Sequence, residues 1–420
     1  MTKQAGWLPL FVFLVLVCGL GLRLWQPGLI EYKTDESYMF RSTQAEAPLK
    51  PFPALGMPSG ARGLVNPGLS IWAFSAPAQL LSLKDPPALS RFVGLSFIFT
   101  LLGLFAYVLR KKDFTARERE IWLWGIALSV ANPVMLLFTR KIWAQSLLPV
   151  LSVLLFVSWL ERKQHPAWRL SLGFFAVLIG QLHMSGFFLG AAVLMRELYD
   201  ALRARSSWAP LSLGVVLGGI PMIPWITQVF VGGGSTKIQE AVLSSPSAWP
   251  EFLKFRFWTY VVSFGSGLNF NSNLGHHTRS FVSDPLVATT LTLSGLLVAV
   301  LIIGSLKRVP AVLRRRPILL PFQRLRPTGQ LLWLGFFLCG VLMTLSNLRI
   351  QRHYLILLVP LLALGLSQLA LALFPRSGRW ALGIYVILQL GLSAELLSYL
   401  NRNNGAPGAE FGVAYREQSP

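Results

Sequence analysis

Residues 286–306 read LVATTLTLSGLLVAVLIIGSL, a run without a single charged side chain. About 20 apolar residues in a helix span the hydrocarbon core of a bilayer. Similar runs recur along the chain. Hydrophobic residues make up 53% of the 420 positions and charged residues only 13%, about half the fraction in a soluble protein. This composition predicts an all-α polytopic membrane protein.

About eleven apolar runs are predicted to cross the membrane as helices, within one transmembrane domain over residues 1–400. The runs are 7–25, 88–109, 121–138, 143–160, 170–183, 184–197, 209–230, 286–306, 330–348, 354–373 and 380–398. The two runs around His183 are short, which favours a bent or re-entrant pair. Residues 64–83 are also apolar, but Pro67 and Pro77 favour an interfacial helix in the first outer loop. A full span there would invert everything after it.

Lysines and arginines in short loops predict the orientation, because basic loops are retained on the cytoplasmic side. With the N-terminus inside, such residues cluster on the inner side near 110–119, 162–169, 196–205, 307–326 and 376–379. The outer side then receives the long loops 26–87 and 231–285 and a short polar tail, 401–420.

The lysines and arginines of the inner loops account for most of the formal net charge of +21. No nucleic-acid partner is expected, because no basic soluble domain exists to bind one. Membrane lipids are expected partners. The basic stretch 307–329 either serves only as a retention signal or also binds anionic lipid head groups.

Asp35 and Glu36 follow the first predicted helix on its outer side. A carboxylate there can accept the proton of a hydroxyl or ligate a divalent cation, for which Glu36 is the candidate. The pattern requires no cofactor. A solvated start of a loop explains the acidic pair as well.

Two basic clusters lie on the predicted outer side, where the positive-inside rule does not call for cations. Arg140 and Lys141 occupy one turn, and Arg352, His353 and Tyr354 precede a later span. Arginine offers a planar fork that matches phosphate oxygens. Interaction of the first cluster with lipid head groups is the alternative.

His183 lies between two short apolar runs, in the sequence QLHMSG. An ionisable residue at such a break is a candidate site residue, although a structural histidine explains it equally. The outer carboxylate and the two outer basic clusters together suggest a phosphate-bearing substrate and a proton acceptor near the membrane surface. Glycosyl transfer from a polyprenyl-phosphate sugar suits that combination.

The order of five segments resembles the C-type (GT-C) membrane glycosyltransferases, in the branch of protein O-mannosyltransferases and bacterial aminoarabinose transferases. The segments are 34–38, 65–72, 132–140, 218–225 and 352–360. The likeness runs from about residue 7 to residue 373, in order. Members of the family often have two prolines where Asn66-Pro67-Gly68 stands here.

The resemblance implies an inverting transfer of a monosaccharide from a polyprenyl-phosphate donor to a hydroxyl of a lipid, glycan or protein. The site would lie on the outer face of a membrane, by analogy the bacterial plasma membrane. Asp35 would be the general base, with Glu36 assisting or binding metal, and Asn66 a further candidate. The donor phosphate would be held by Arg140, Lys141, Arg352, His353 and Tyr354.

Two other classes remain open. A transporter or flippase for a lipid-linked sugar would use the same cations without a catalytic carboxylate. A glycan polymerase or ligase would also have outer-loop arginines, but not the early acidic pair. A non-catalytic scaffold is a further alternative.

Overall fold

The computed structural model describes residues 6–46, 48–58, 65–205, 207–230, 255–315, 325–346, 348 and 350–418, and most of these residues are helical. The first half contains α1 Leu8–Leu24, α2 Thr34–Thr43, α3 Leu69–Leu80, α4 Pro86–Arg110, α5 Ala116–Ala131, α6 Pro133–Phe138, α7 Leu148–Glu161, α8 Pro166–Leu182 and α9 Ser185–Ala204. The second half contains α10 Ala209–Gly219, α11 Ile223–Phe230, α12 Arg256–Gly265, α13 Asn271–Leu274, α14 His277–Val282, α15 Pro285–Arg315, α16 Pro327–Trp333, α17 Cys339–Leu345, α18 Val359–Leu373 and α19 Ser377–Arg402.

Short elements join these helices. Single 3₁₀ segments are Ala144–Leu147, Ile220–Met222, Arg352–Leu358 and Tyr415–Glu417, and a π-helical turn covers Leu334–Leu338. Two antiparallel hairpins pair β1 Leu55–Pro58 with β2 Val65–Pro67, and β3 Gly405–Ala406 with β4 Gly412–Val413.

Seven helical segments of the described chain are long and apolar enough to cross a membrane. They are Pro86–Arg110, Ala144–Glu161, Ala209–Phe230, Pro285–Gly304, Pro327–Leu345, Arg352–Leu373 and Ser377–Arg402. The predicted all-α membrane class is confirmed, but the count of eleven spans is not.

The other four predicted spans fall on shorter, interrupted or charged helices. α1 and α8 have 17 residues each, about 26 Å at 1.5 Å per residue, against a core of about 30 Å. The run 121–138 is divided between α5 and α6 at Asn132, whose side chain caps α6 through the N–H of Met135. α9 carries charged residues in its second half.

The helical bundle has two distinct ends. α1 begins beside α5, where the Trp7 ring lies 5.9 Å from the Trp124 ring. It ends near the turn after α6, where Arg23 Nε donates to Thr139 Oγ1 at 2.8 Å. We name these the Trp7 end and the Asp35 end.

The first long loop contains α2, the β1–β2 hairpin and α3. α3 has only 12 residues, about 18 Å, which is too short to cross the hydrocarbon core. The predicted second outer loop, 231–285, is described only from residue 255 onward, where it forms α12, α13 and α14. In the predicted inner loop 307–329, residues 307–315 continue α15, and 316–324 lie outside the described residues.

The predicted polar tail is a folded part of the Asp35 end. The backbone N–H groups of Tyr415 and Arg416 donate to the carbonyls of Ile30 and Gly28, each at 3.1 Å. Gly412 has a φ of +70°, a conformation that residues with side chains rarely adopt, and a Cβ at this position would lie only 2.5 Å from Lys33 Cε. The tail therefore covers the loop that carries the acidic pair.

Candidate functional site

Asp35 and Glu36 occupy the first turn of α2, where negative charge suits the helix dipole. Glu36 Oε2 accepts a hydrogen bond from the backbone N–H of Lys33 at 3.0 Å and so closes the start of the helix. Glu36 is buried, with 1% of its surface exposed, because Met39 and Phe40 turn this face of α2 into the core. Asp35 lies on the exposed side. The two adjacent acids therefore have different environments.

Lys141 forms ion pairs with two carboxylates. Its Nζ lies 2.7 Å from Glu31 Oε1 and 3.0 Å from Glu36 Oε1. The ammonium also lies over the Trp143 ring, 4.2 Å from its centroid. All three charged side chains are largely buried, so the cluster has little access to water.

Burial and pairing shift the pKa values in this cluster. Burial raises the pKa of Glu31 to about 7, although Lys141 opposes the rise. For Lys141, burial lowers the pKa, but the charges of Glu31 and Glu36 outweigh that effect and the net pKa is raised. The lysine therefore stays charged while Glu31 titrates near neutrality.

Asp35 lies beside this cluster, and its side chain is in contact with solvent. Partial withdrawal from water and the negative charge of Glu36 raise its pKa, while Lys141 and a hydrogen bond from Trp143 oppose the rise. A carboxylate with a raised pKa is a better proton acceptor, as a general base requires.

Arg140 has a different role from the predicted phosphate contact. Its two Nη atoms donate to five backbone carbonyls at 2.7–3.1 Å, those of Leu22, Arg23, Trp25, Gln26 and Leu29. The last carbonyls of a helix lack partners within the helix, and Arg140 supplies them at the end of α1. Because it is also buried, Arg140 has no terminal donor left for a phosphate.

Arg352 has weaker partners. Its Nη1 donates to Asn269 Oδ1 at 3.1 Å, and its Nη2 lies 3.3 Å from Glu410 in the tail, whose side chain is 61% exposed. A pair as exposed as this one contributes little stability, so an incoming anion can replace Glu410.

Ring contacts connect three distant segments of the chain. The ring of His353 lies 4.7 Å from the Trp143 ring and 4.7 Å from the Tyr354 ring. Tyr354 in turn lies 4.9 Å from the ring of His183. Trp143 also forms a hydrogen bond with Asp35, so these ring contacts connect the three segments to the acidic loop.

His183 and Asn66 hold the neighbouring backbone. The Nδ1 of His183 accepts the N–H of Ser185 at 3.3 Å, at the break between α8 and α9. Asn66 donates to the carbonyl of Met57 and accepts the N–H of Met184, at 2.9 and 3.1 Å. Both are buried, and Asn66 connects the β1–β2 hairpin to that break.

Most of the predicted site residues therefore meet at the Asp35 end. Sequence reasoning missed Glu31, Trp143 and Glu410. Glu31 carried a signal, since it is a further carboxylate directly after the first helix, whereas Glu410 lies too far along the chain. Glu36, the candidate for binding a divalent cation, forms an ion pair with Lys141. Across the described ranges, no group of three or more His, Cys, Asp or Glu residues is arranged to hold a metal ion.

Comparison with known proteins returned no match to a family model, a curated protein or a solved structure.

Proposed function

We propose that the protein is an inverting glycosyltransferase that moves a monosaccharide from a polyprenyl-phosphate donor to a hydroxyl acceptor at the outer membrane–water boundary. One observation supports this most strongly: Asp35, Lys141, Trp143 and Arg352-His353-Tyr354 meet at one end of the bundle. These segments are far apart in the chain, and each carries a group that the reaction needs.

Asp35 is the general base in this proposal. Glu36 and Glu31 are buried and bound to Lys141, whereas Asp35 is open to an acceptor. The acceptor oxygen attacks the anomeric carbon from the face opposite the phosphate and its proton passes to Asp35. The bond between the sugar and the phosphate oxygen breaks as the new glycosidic bond forms, so one carboxylate is sufficient for inversion.

Arg352 is the cation for the departing lipid phosphate. It is only partly buried, and its carboxylate partner is exposed. The phosphate would take the place of Glu410 and gain the fork geometry of the guanidinium. Arg140 has no such capacity, because the end of α1 occupies its Nη donors.

A proton-coupled transporter of a lipid-linked sugar is the second candidate. The buried Glu31, whose pKa is raised to about 7, supports it, because a carboxylate that titrates near neutrality inside a membrane protein is typical of proton relays. Such a protein would need Glu31 and would tolerate the loss of Asp35.

The two candidates separate in one experiment. The purified full chain is incubated with a panel of radiolabelled polyprenyl-phosphate sugars and hydroxyl acceptors, and transfer and donor hydrolysis are measured. Asp35→Asn keeps the size of the side chain but cannot accept the proton, so turnover should fall by about 10²–10⁴-fold with near-normal donor binding.

Asp85→Asn is the matched control. Asp85 caps α4 by accepting the N–H of Ala88, and asparagine can keep that cap. Its turnover should equal that of the wild type. Full transfer activity in Asp35→Asn would exclude Asp35 as the base, and sugar translocation without transfer would favour the transporter.

A further inference from the structure

A second polar region lies at the Trp7 end of the bundle. A cavity of about 580 Å³ opens between the residues before α1, the start of α5 and the turn between α18 and α19. Four arginines line it against one carboxylate, which leaves a net charge of +3 (four minus one). These residues are Arg117, Arg119, Arg376, Arg379 and Glu120.

Two of the four arginines are already engaged. Arg379 binds Glu120 through two hydrogen bonds of 2.5 and 2.9 Å, which uses the only carboxylate of the lining. Arg119 donates to the carbonyls of Val108 and Lys111 at the end of α4, at 3.3 and 3.1 Å.

The side chains of the other two arginines are not held in this way. No hydrogen bond or ion pair joins the side chain of Arg117 or Arg376 to a residue that the structure describes, although the charge of Glu120 also acts on Arg117. Both nonetheless line the same cavity. Ala116, the first residue of α5, also lines it.

The remaining walls of the cavity are apolar. They include Pro9 in the first turn of α1 and Ala372 near the end of α18, both of which have exposed surface. Both helices belong to the apolar bundle, so in a bilayer the cavity at their ends would lie near the level of the lipid head groups. It is also on the side that the basic loops predict to be cytoplasmic, where anionic lipids attract cationic segments.

We propose that this cavity binds the phosphate of an anionic membrane lipid. Arg117 and Arg376 bind the phosphate oxygens, and an acyl chain lies along Pro9 and Ala372. Arg379 and Arg119, each held by its own partners, keep the pocket positive and in shape. This site is separate from the Asp35 end and does not depend on a glycosyltransferase activity.

The positive-inside rule alone makes a different prediction. It accounts for the number of basic residues on this side but gives none of them a special role. Under that explanation, the loss of any two exposed cations of the same end would weaken lipid binding equally.

The test measures binding of dioleoylphosphatidylglycerol to the purified full chain in detergent, with dioleoylphosphatidylcholine as the neutral lipid. We expect Arg117→Gln/Arg376→Gln to weaken phosphatidylglycerol binding by about tenfold or more, since two charge-assisted contacts are lost. The control Arg110→Gln/Lys112→Gln removes two exposed cations near the end of α4 that do not line the cavity. It should bind within about twofold of the wild type.

A second variant, Arg117→Lys/Arg376→Lys, keeps both charges but loses the planar fork, and its affinity should lie between those of the wild type and the glutamine variant. Equal weakening in the control, or equal binding of the neutral lipid, would overturn the proposal. It would also fail if millimolar inorganic phosphate displaced phosphatidylglycerol completely, because the ligand would then be a soluble phosphate.

Discussion

The turn 139–143 and the segment 350–354 both place cations at the Asp35 end, yet the two regions use them differently. In the turn, Arg140 is buried and bound to five carbonyls, and Lys141 is bound to two carboxylates. In the segment, Arg352 is partly exposed and shares its guanidinium between an amide and an exposed carboxylate. The first region is therefore held by its own protein partners, and the second remains open to a ligand.

The end of α1 explains the difference. A helix leaves its last carbonyls without partners, and away from water they need donors. The turn packs against that end, and Arg140 donates to its carbonyls. Arg352 instead begins a 3₁₀ segment, and its side chain donates to Asn269 and Glu410 rather than to the end of a helix. Proximity to an unsatisfied backbone, rather than residue type, decides which cation is free.

The largest effect should come from Arg140→Ala. It removes a donor from five carbonyls at and just after the end of α1, of which the Gln26 carbonyl keeps the N–H of Leu29. One buried group left unpaired already costs about 1–3 kcal/mol. We expect a loss of stability of about 3 kcal/mol or more, seen as a clear fall in Tm and in the yield of folded protein.

The exposed pair between Arg41 and Glu46 provides the control, and Arg41→Ala should change Tm little. If Arg140→Ala kept the wild-type Tm but lost donor binding, Arg140 would be a ligand contact after all.

A slightly smaller effect is expected from Lys141→Met, which leaves Glu31 and Glu36 buried without their cation. The folded-state pKa of Glu31 is raised to about 7. In the wild type, the stability that protonated Glu31 contributes is present below its unfolded pKa of about 4.5 and is lost as the pH rises through about 7. Lys141 opposes the rise in pKa, so without it the folded-state pKa is higher still and the variant goes on losing stability above about pH 7. The fall in Tm relative to the wild type should be larger at about pH 8 than at about pH 6.

Lys112→Met removes an exposed lysine and should show no such pH dependence. If the fall in Tm of Lys141→Met were equal at both pH values, the unpaired carboxylates would not be its cause.

The smallest change in stability is expected from Arg352→Ala, because its pair with Glu410 is exposed. Tm should stay within the range of other surface variants, while the affinity for polyprenyl-phosphate donor falls by about tenfold or more. Arg352→Lys should recover part of it. If Arg352→Ala bound the donor with wild-type affinity, the segment 350–354 would not be the region that is open to a ligand.

The site was partly predictable because the residues that matter are unusual for their location. Asp35, Lys141 and Arg352 are charged residues next to apolar runs, and the sequence alone identifies them. Which of them are free is not a local property. Glu31 and Glu410 lie 110 and 58 residues from the cations that they neutralise, and nothing in the sequence sets those pairings.

The fold shows the same limit. Long uncharged runs such as 286–306 predict helices in a bilayer from hydrophobicity alone, and the structure has the helix Pro285–Arg315 there. The break at Asn132 was less evident, because its side chain caps α6 inside an otherwise apolar run.

The sequence by itself determined that this is a helical membrane protein with acidic and basic groups at the ends of its helices, because apolar length and charge are properties of the chain. Only the tertiary structure decided that Arg140 closes α1, that the tail covers the acidic loop and that four arginines line one cavity. Those outcomes depend on which helix ends meet in space, and hydrogen bonds and ion pairs act only at contact distance.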